Sequence, residues 1–395
     1  MLRLGLLAAM LAATPALAKD LVVEAGPNAQ ERLQAALLDA KPGDTVRIGA
    51  GRFELTDGLS LDVDGVTVRG AGQFKTVLSF KGQLGAGEGL LVTSDDVVLR
   101  DFAVEDSKGD GIKSKGADRI VYKNVRVEWT GGPKASNGAY GVYPVESSDV
   151  LIDGVTVKGA SDAGIYVGQS DRIIVRNSTA MYNVAGIEIE NSGHAEVTGN
   201  LATHNSGGIL VFDLPALPKR GAGWVTVSRN RVIDNDTPNF APPGNTVATV
   251  PTGTGVLVMA ENDVQVVANE LRGNGTANIM VVAYRQPFAD KAYDPYPRNI
   301  YIAGNKHGRA GFAPAMPGGK QLAAALGGTL PPIFWDGTGG DKVRLTGKDA
   351  PVLTLGLALG AGIETAKPQM IALVDEIPPP WPVLRLPPAM EAAAK

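Results

Sequence analysis

Cysteine is absent from the chain. That absence excludes a disulfide framework, thiolate metal sites and a lipid-anchored cysteine. Histidine is scarce: His194, His204 and His307 are scattered and have no metal-ligand spacing. There is no excess of positive charge, with 37 Lys+Arg against 41 Asp+Glu. A nucleic-acid partner needs a basic face, so none is expected. An anionic substrate would have to be held by local cations. Beyond the N-terminus no apolar run approaches the length that crosses a bilayer. The hydrophobic content, 44%, is sufficient for a sizeable core and argues against global disorder.

The N-terminus, MLRLGLLAAMLAATPALA, has one early cation, Arg3, then a short apolar run and a small-x-small site at Ala16-Leu17-Ala18. This pattern predicts a signal peptide over residues 1–18 and a mature protein that is periplasmic or secreted. Cleavage would remove Arg3 and no acid.

The 50 glycines are not scattered. A Gly or Asn opens an apolar-alternating strand at Gly89, Gly111, Gly141, Gly164, Gly186, Gly208, Gly255 and Asn278. The unit is 22 to 23 residues, and the longer gaps read as units with insertions. A second marker shares the period: strands end in Asp101, Asn124, Gly154, Asn177, Asn200, Asn230, Asn269 and Asn305. Each unit reads as three short strands separated by turns. One unit alone cannot bury its apolar face, whereas stacked units can, strand over strand at about 4.8 Å. The expected fold is an all-β, right-handed parallel β-helix. Asn tolerates the left-handed turn conformation, so the Asn column is expected at such turns, as a structural ladder.

Solenoid ends need caps. Residues 29–40 read as a helical lid, with Asn28 as N-cap, Glu31 three residues on, and Pro42-Gly43 as the stop. The domain organisation expected is 1–18 signal peptide, 19–308 β-helix with its N-terminal cap, and 309–395 a C-terminal cap with an extended Pro- and Gly-rich segment.

The phrases YGVYPVESSDVLID, GASDAGIYVGQS, NVAGIEIENS, GGILVFDLP, NFAPPGN and VPTGTGVLVMA resemble the bacterial exported parallel β-helix repeat-containing family, within the pectin-lyase-like superfamily. The resemblance covers roughly residues 20–305. It implies the fold and export, and no established activity. The wider superfamily includes pectate lyases, polygalacturonases and alginate epimerases, but their Asp-Pro-His-Asp, Gly-His-Gly and Arg-Ile-Lys signatures are missing here.

Insertions at 130–138 and 236–254 precede a first strand, and those at 214–223 and 283–298 follow one. They are expected to wall the first-strand face into a groove suited to an extended polysaccharide. Alternation places Lys113, Tyr143, Tyr166, Glu188, Leu210, Leu257 and Met280 outward on successive rungs, with Glu190, Phe212 and Met259 two residues on. Tyr166, Glu188 and Glu190 are the catalytic candidates. Two carboxyls about 7 Å apart along a strand could share acid and base work, and a phenol beside them could move a proton. Lys113, Tyr143, Phe212, Asp213, Arg220, Tyr284 and Arg285 are the substrate-binding candidates, through cations for a substrate carboxylate and aromatics for sugar faces. No cofactor or metal is expected; Asp95-Asp96 offers calcium only a generic acidic turn. If the protein is an enzyme, lyase, C5-epimerase or glycoside hydrolase chemistry is implied. The alternative is a non-catalytic envelope scaffold that binds another exported protein, and the outward Leu210, Phe212, Leu257 and Met259 favour it.

Overall fold

Three parallel sheets wrap one continuous core in a computed structural model that describes residues 18–220 and 223–395. The expected signal peptide lies outside the described residues except for Ala18. The first strands of the rungs form a 12-stranded sheet that opens at Leu59–Leu61. The second strands form another 12-stranded sheet, from Asp20–Val23 to Leu345–Thr346. The third strands form a 10-stranded sheet.

The two-residue period sets what is inside. Ile112, Val142, Ile165, Ile187, Ile209, Val256 and Ile279 stand in register on successive first strands and are fully buried. Branched side chains suit such a column because each packs on its copies above and below.

The turns correct one detail of the Asn column. The left-handed residue between second and third strands is Asp101, Asn124, Gly154 and Asn177 on the early rungs, but Gly199, Arg229, Ala268 and Gly304 on the later ones. Asn200, Asn230, Asn269 and Asn305 follow it and point inward. Their amides form a ladder: Asn200 Nδ2 donates to Asn230 Oδ1 at 3.0 Å, Asn230 to Asn269 at 3.0 Å, and Asn269 to Asn305 at 2.9 Å. A second inward ladder, Asn183–Asn205–Asn235–Asn274, satisfies the next corner. Each amide donates to the neighbouring rung, so buried polar atoms at the corners stay paired.

The N-terminal lid is Ala29–Asp39, with Leu33 and Leu37 buried on the first rungs. Asn28 does not cap it through its side chain; its backbone is left-handed, at φ 55°. Gln34 instead closes the sheet edge, accepting from the Ser60 amide at 2.9 Å and donating to the Ser60 carbonyl at 3.0 Å. Stacking also outlasts the sequence period: Ile333–Trp335 and Val352–Thr354 add two further first strands, and Gln369–Ile371 closes that edge antiparallel. From there the chain turns back along the second-strand sheet. Leu386, just before the last helix, and Met390 within that helix, Pro388–Ala393, pack against Val121, Leu151 and Ile174. Among the described residues, no helix is long and apolar enough to cross a membrane.

Candidate functional site

The strands Ala163–Gly168 and Ala185–Glu190 carry the chemical groups. Ile165, Val167, Ile187 and Ile189 fill the core, so Tyr166, Glu188 and Glu190 must face outward. Tyr166 pairs with Glu188 across the rungs. Its hydroxyl donates to Glu190 Oε1 at 2.8 Å, and Glu188 stands two residues before Glu190 on the same face of the same strand. Asp162, in the turn before the Tyr166 strand, adds a third acid close by; Asn245 Nδ2 donates to its Oδ2 at 2.9 Å.

Among the described residues, no Lys or Arg pairs with Asp162, Glu188 or Glu190. Burial therefore sets the charge state. Glu188 is 1% exposed, and one of its oxygens is buried without a hydrogen bond. Its carboxyl is held well above the ordinary value by burial, then by the Asp162 and Glu190 charges. Burial and the neighbouring Asp213 raise Glu190 to about 7, against the lowering bond from Tyr166. Burial likewise raises Asp162 to about 7, against the Asn245 bond. Tyr166 is also shifted upward, by burial and then the Glu190 charge. The cluster can thus keep and pass protons at neutral pH, which ordinary carboxylates cannot.

Tyr143 and Tyr140 stack beside it. The rings of Tyr143 and Tyr166 lie 4.8 Å apart edge-on, and Tyr140 sits 4.5 Å from each. Lys113 Nζ lies 4.9 Å over the Tyr143 ring and 3.2 Å from Glu88. Asp110, raised to about 6 by burial, completes this half-buried edge.

Further along, the face differs from the expected open groove. The insertion between the strands Arg231–Ile233 and Thr254–Met259 crosses the face as well as bordering it. Val247 and Val250 of that insertion pack in one cluster with Leu210, Phe212 and Leu257, all buried. Asn239 ties the segment together, donating to the Val247 and Val250 carbonyls at 2.9 Å. The physical reason is plain: outward Leu and Phe on adjacent rungs need apolar cover, and the insertion carries it. The patch that favoured a protein partner is therefore covered by this chain. A cavity of about 600 Å³ remains between the insertion and the C-terminal cap, with Phe212, Met259, Met280, Tyr284 and Arg285 in its wall.

The remaining candidates are dispersed. Asp213 is buried, and its carbonyl accepts from the Tyr293 hydroxyl at 2.6 Å. Arg220 pairs with Asp290, and the Arg285 guanidinium donates to the Ala361 carbonyl. Tyr284 packs with Phe288 and Tyr293 as a local aromatic core. Asp95 and Asp96 are both engaged by Arg119, at 3.1 and 2.6 Å. His194 lies against Asp171, His204 against Asp236, and His307 against Asp349. Sequence reasoning missed Tyr140, Asp162 and Asn245, which complete the cluster. It also missed Glu261, fully buried and raised to about 8 mainly by desolvation. Asp162 and Asn245 read as turn formers, which hides them; Tyr140 was visible in the spacing Tyr140-x-x-Tyr143.

Three parallel sheets coiled around one core, with the acids on the first-strand face, define a right-handed parallel β-helix. A family model described as a right-handed beta helix region matches residues 64–216 and 134–291, together more than half of the sequence, and the chain belongs to that family. No curated protein matches it in sequence. Among solved structures, the A-module of Azotobacter vinelandii mannuronan C-5 epimerase AlgE4 is similar at 16% identity, covering 85% of this chain and 95% of that one, with a TM-score of 0.54. The corresponding A-module of AlgE6 is similar at 15% identity, covering 87% and 97%, with a TM-score of 0.50. At such identities the likeness is one of fold.

Proposed function

We propose that this is an exported protein that binds an extended polysaccharide along the first-strand face and processes it with Tyr166, Glu188 and Glu190. The observation that carries this reading is the Tyr166–Glu190 hydrogen bond beside buried Glu188, on aligned rungs and without a neutralising cation. Glu188, protonated at neutral pH, is the proton donor. Glu190, which titrates near 7 and is hydrogen-bonded to Tyr166, takes a proton from the substrate, directly or through the phenol. Tyr143 and Tyr140 offer ring faces to a sugar at the open edge, and Lys113 a cation. That two epimerase modules share the fold supports a glycan as the substrate class by analogy. Substrate reaches Glu188 when the segment around Asn245 lifts, which separates Asn245 from Asp162.

The test is incubation of the purified protein with polyuronides and neutral glycans, following unsaturated products, reducing ends and C5 configuration. Turnover is expected with one glycan class. It should fall about 10²- to 10⁴-fold in Glu188→Gln and in Tyr166→Phe, while the circular dichroism melt stays cooperative. Binding without turnover on every glycan would remove the catalytic part of the reading. Full turnover in both variants would place the chemistry elsewhere.

A further inference from the structure

The second-strand sheet carries a cleft that neither the repeat nor the acid cluster accounts for. Its outward column changes character along the solenoid. Val121, Leu151 and Ile174 are apolar and lie beneath the C-terminal helix. The next rungs in register present Glu196, Thr226, Gln265 and Tyr301. Over those four the chain segment 377–385, rich in proline, runs as a bridge. It is fastened at one end by the Thr346–Val374 strand contact and at the other by Leu386 and Met390. Pro378-Pro379-Pro380 has no amide hydrogen to bond into the sheet and stiffens the span. A cleft of about 930 Å³ lies between bridge and sheet, within the size of ordinary ligand sites.

Its lining is chemically specific. The floor is a run of hydrogen-bonding groups, one per rung at about 4.8 Å. Among the described residues, none of the Glu196, Thr226, Gln265 and Tyr301 side chains bonds to another protein group, and all four are half-buried. The wall is aromatic: Trp224, 39% exposed, stands 5.3 Å from Trp381 of the bridge and stacks at 6.0 Å on His194. Trp224 holds a left-handed backbone, φ 64°, at a corner where other rungs place Asp96, Arg119, Asp149, Arg172, His194, Asp263 or Asn299. A bulky aromatic there is a conformational exception of the kind that collects at binding sites.

We infer that this cleft is a binding site for a neutral oligosaccharide lying along the solenoid axis. Sugar hydroxyls match a polar floor whose groups are uncommitted and evenly spaced. Sugar C–H faces match the exposed indoles. Glu196 on the floor and Asp171 are matched by Arg172 and Arg385 of the wall, so the lining has no excess of cations for a polyuronide. The site lies on a different sheet from the Tyr166–Glu188–Glu190 cluster, so it stands or falls apart from the proposed chemistry.

Isothermal calorimetry and tryptophan emission on the full mature chain test it, with cello-, malto-, manno-, xylo- and laminari-oligosaccharides and with oligouronates. At least one neutral oligosaccharide should bind saturably and shift the emission. Gln265→Ala and Trp224→Ala should each weaken binding tenfold or more, with Gln265→Ala melting as the parent does. Glu188→Gln, on the other face, should leave that affinity unchanged. Three results would each overturn the site: no saturable binding by any neutral oligosaccharide, binding by oligouronates alone, or binding that persists in both cleft variants.

Discussion

On the first-strand face the outward column runs through Leu210, Leu257 and Met280, and the chain's own insertion lies directly on it. On the second-strand face the corresponding run is Glu196, Thr226, Gln265 and Tyr301, and the proline-rich bridge stands off it. The backbone is the same on both faces, so the difference comes from the outward side chains. Apolar ones pull extra chain down to exclude water; polar ones, already served by water, do not. The acids follow the same division. Those under the insertion lack cations and are raised, whereas Asp153 and Asp171 on the second-strand side are lowered. In both of these, burial opposes the shift but is outweighed: by Asn177 and Arg176 for Asp153, and by His194 and Lys219 for Asp171.

This contrast can be broken most sharply by placing the same charge on each face. Leu210→Asp should cost about 3–5 kcal/mol in urea unfolding, because the carboxylate would be buried without a partner. Gln265→Asp should stay within about 0.5 kcal/mol. Equal losses would mean that the two faces are equally open.

Opposite pH responses are the next effect. Glu188, Glu190, Asp162 and Glu261 hold their protons more tightly folded than unfolded. The stability they contribute is complete below the unfolded value of about 4, and it is lost as pH rises through about 7 for Glu190 and Asp162, about 8 for Glu261, and the raised value of Glu188. Asp153 and Asp171 contribute stability above about 3.9, lost as pH falls through their lowered values. Thermal melts from pH 4 to 9 should therefore show stability declining on the alkaline side, and Glu188→Gln should flatten that decline while leaving the acid limb unchanged. An alkaline limb identical in the variant would contradict the assignment.

Smaller effects refine the picture. Met390→Ala should cost about 2 kcal/mol by opening the contact that anchors the bridge, and should alter Trp224 and Trp381 emission. Glu391→Ala removes the ion pair with Arg176 at 2.8 Å, and at that partly exposed position should cost no more than about 1 kcal/mol. Asn245→Ala frees Asp162 and should cost about 1 kcal/mol, with faster amide exchange confined to the segment near residues 239–250.

Much of this architecture was legible before any coordinates. The 22- to 23-residue period gave the three sheets, and alternation placed Lys113, Tyr143, Tyr166, Glu188 and Leu210 outward on successive rungs, as the register has them. Alternation could not show how far an outward residue is from water. That depends on where an insertion folds, and the insertion was read by its length alone. The signal was present, since Phe240, Val247 and Val250 are apolar residues in a segment next to outward Leu210 and Leu257. The turn chemistry was harder, because one-residue shifts such as Gly199-Asn200 against Asn177-Ser178 separate the left-handed position from the inward ladder. The cap beyond residue 308 stacks without repeating in sequence, so periodicity could not reach it.

The central claim is that burial keeps the Glu188 carboxyl of the first-strand face protonated at neutral pH. Infrared difference spectroscopy of the folded protein tests it directly. A protonated-carboxyl carbonyl band should be present at pH 7 and lose intensity in Glu188→Gln, the remainder coming from Glu261, Glu190 and Asp162. Absence of that band in the unsubstituted protein at pH 7, or an undiminished band in the variant, would contradict the account.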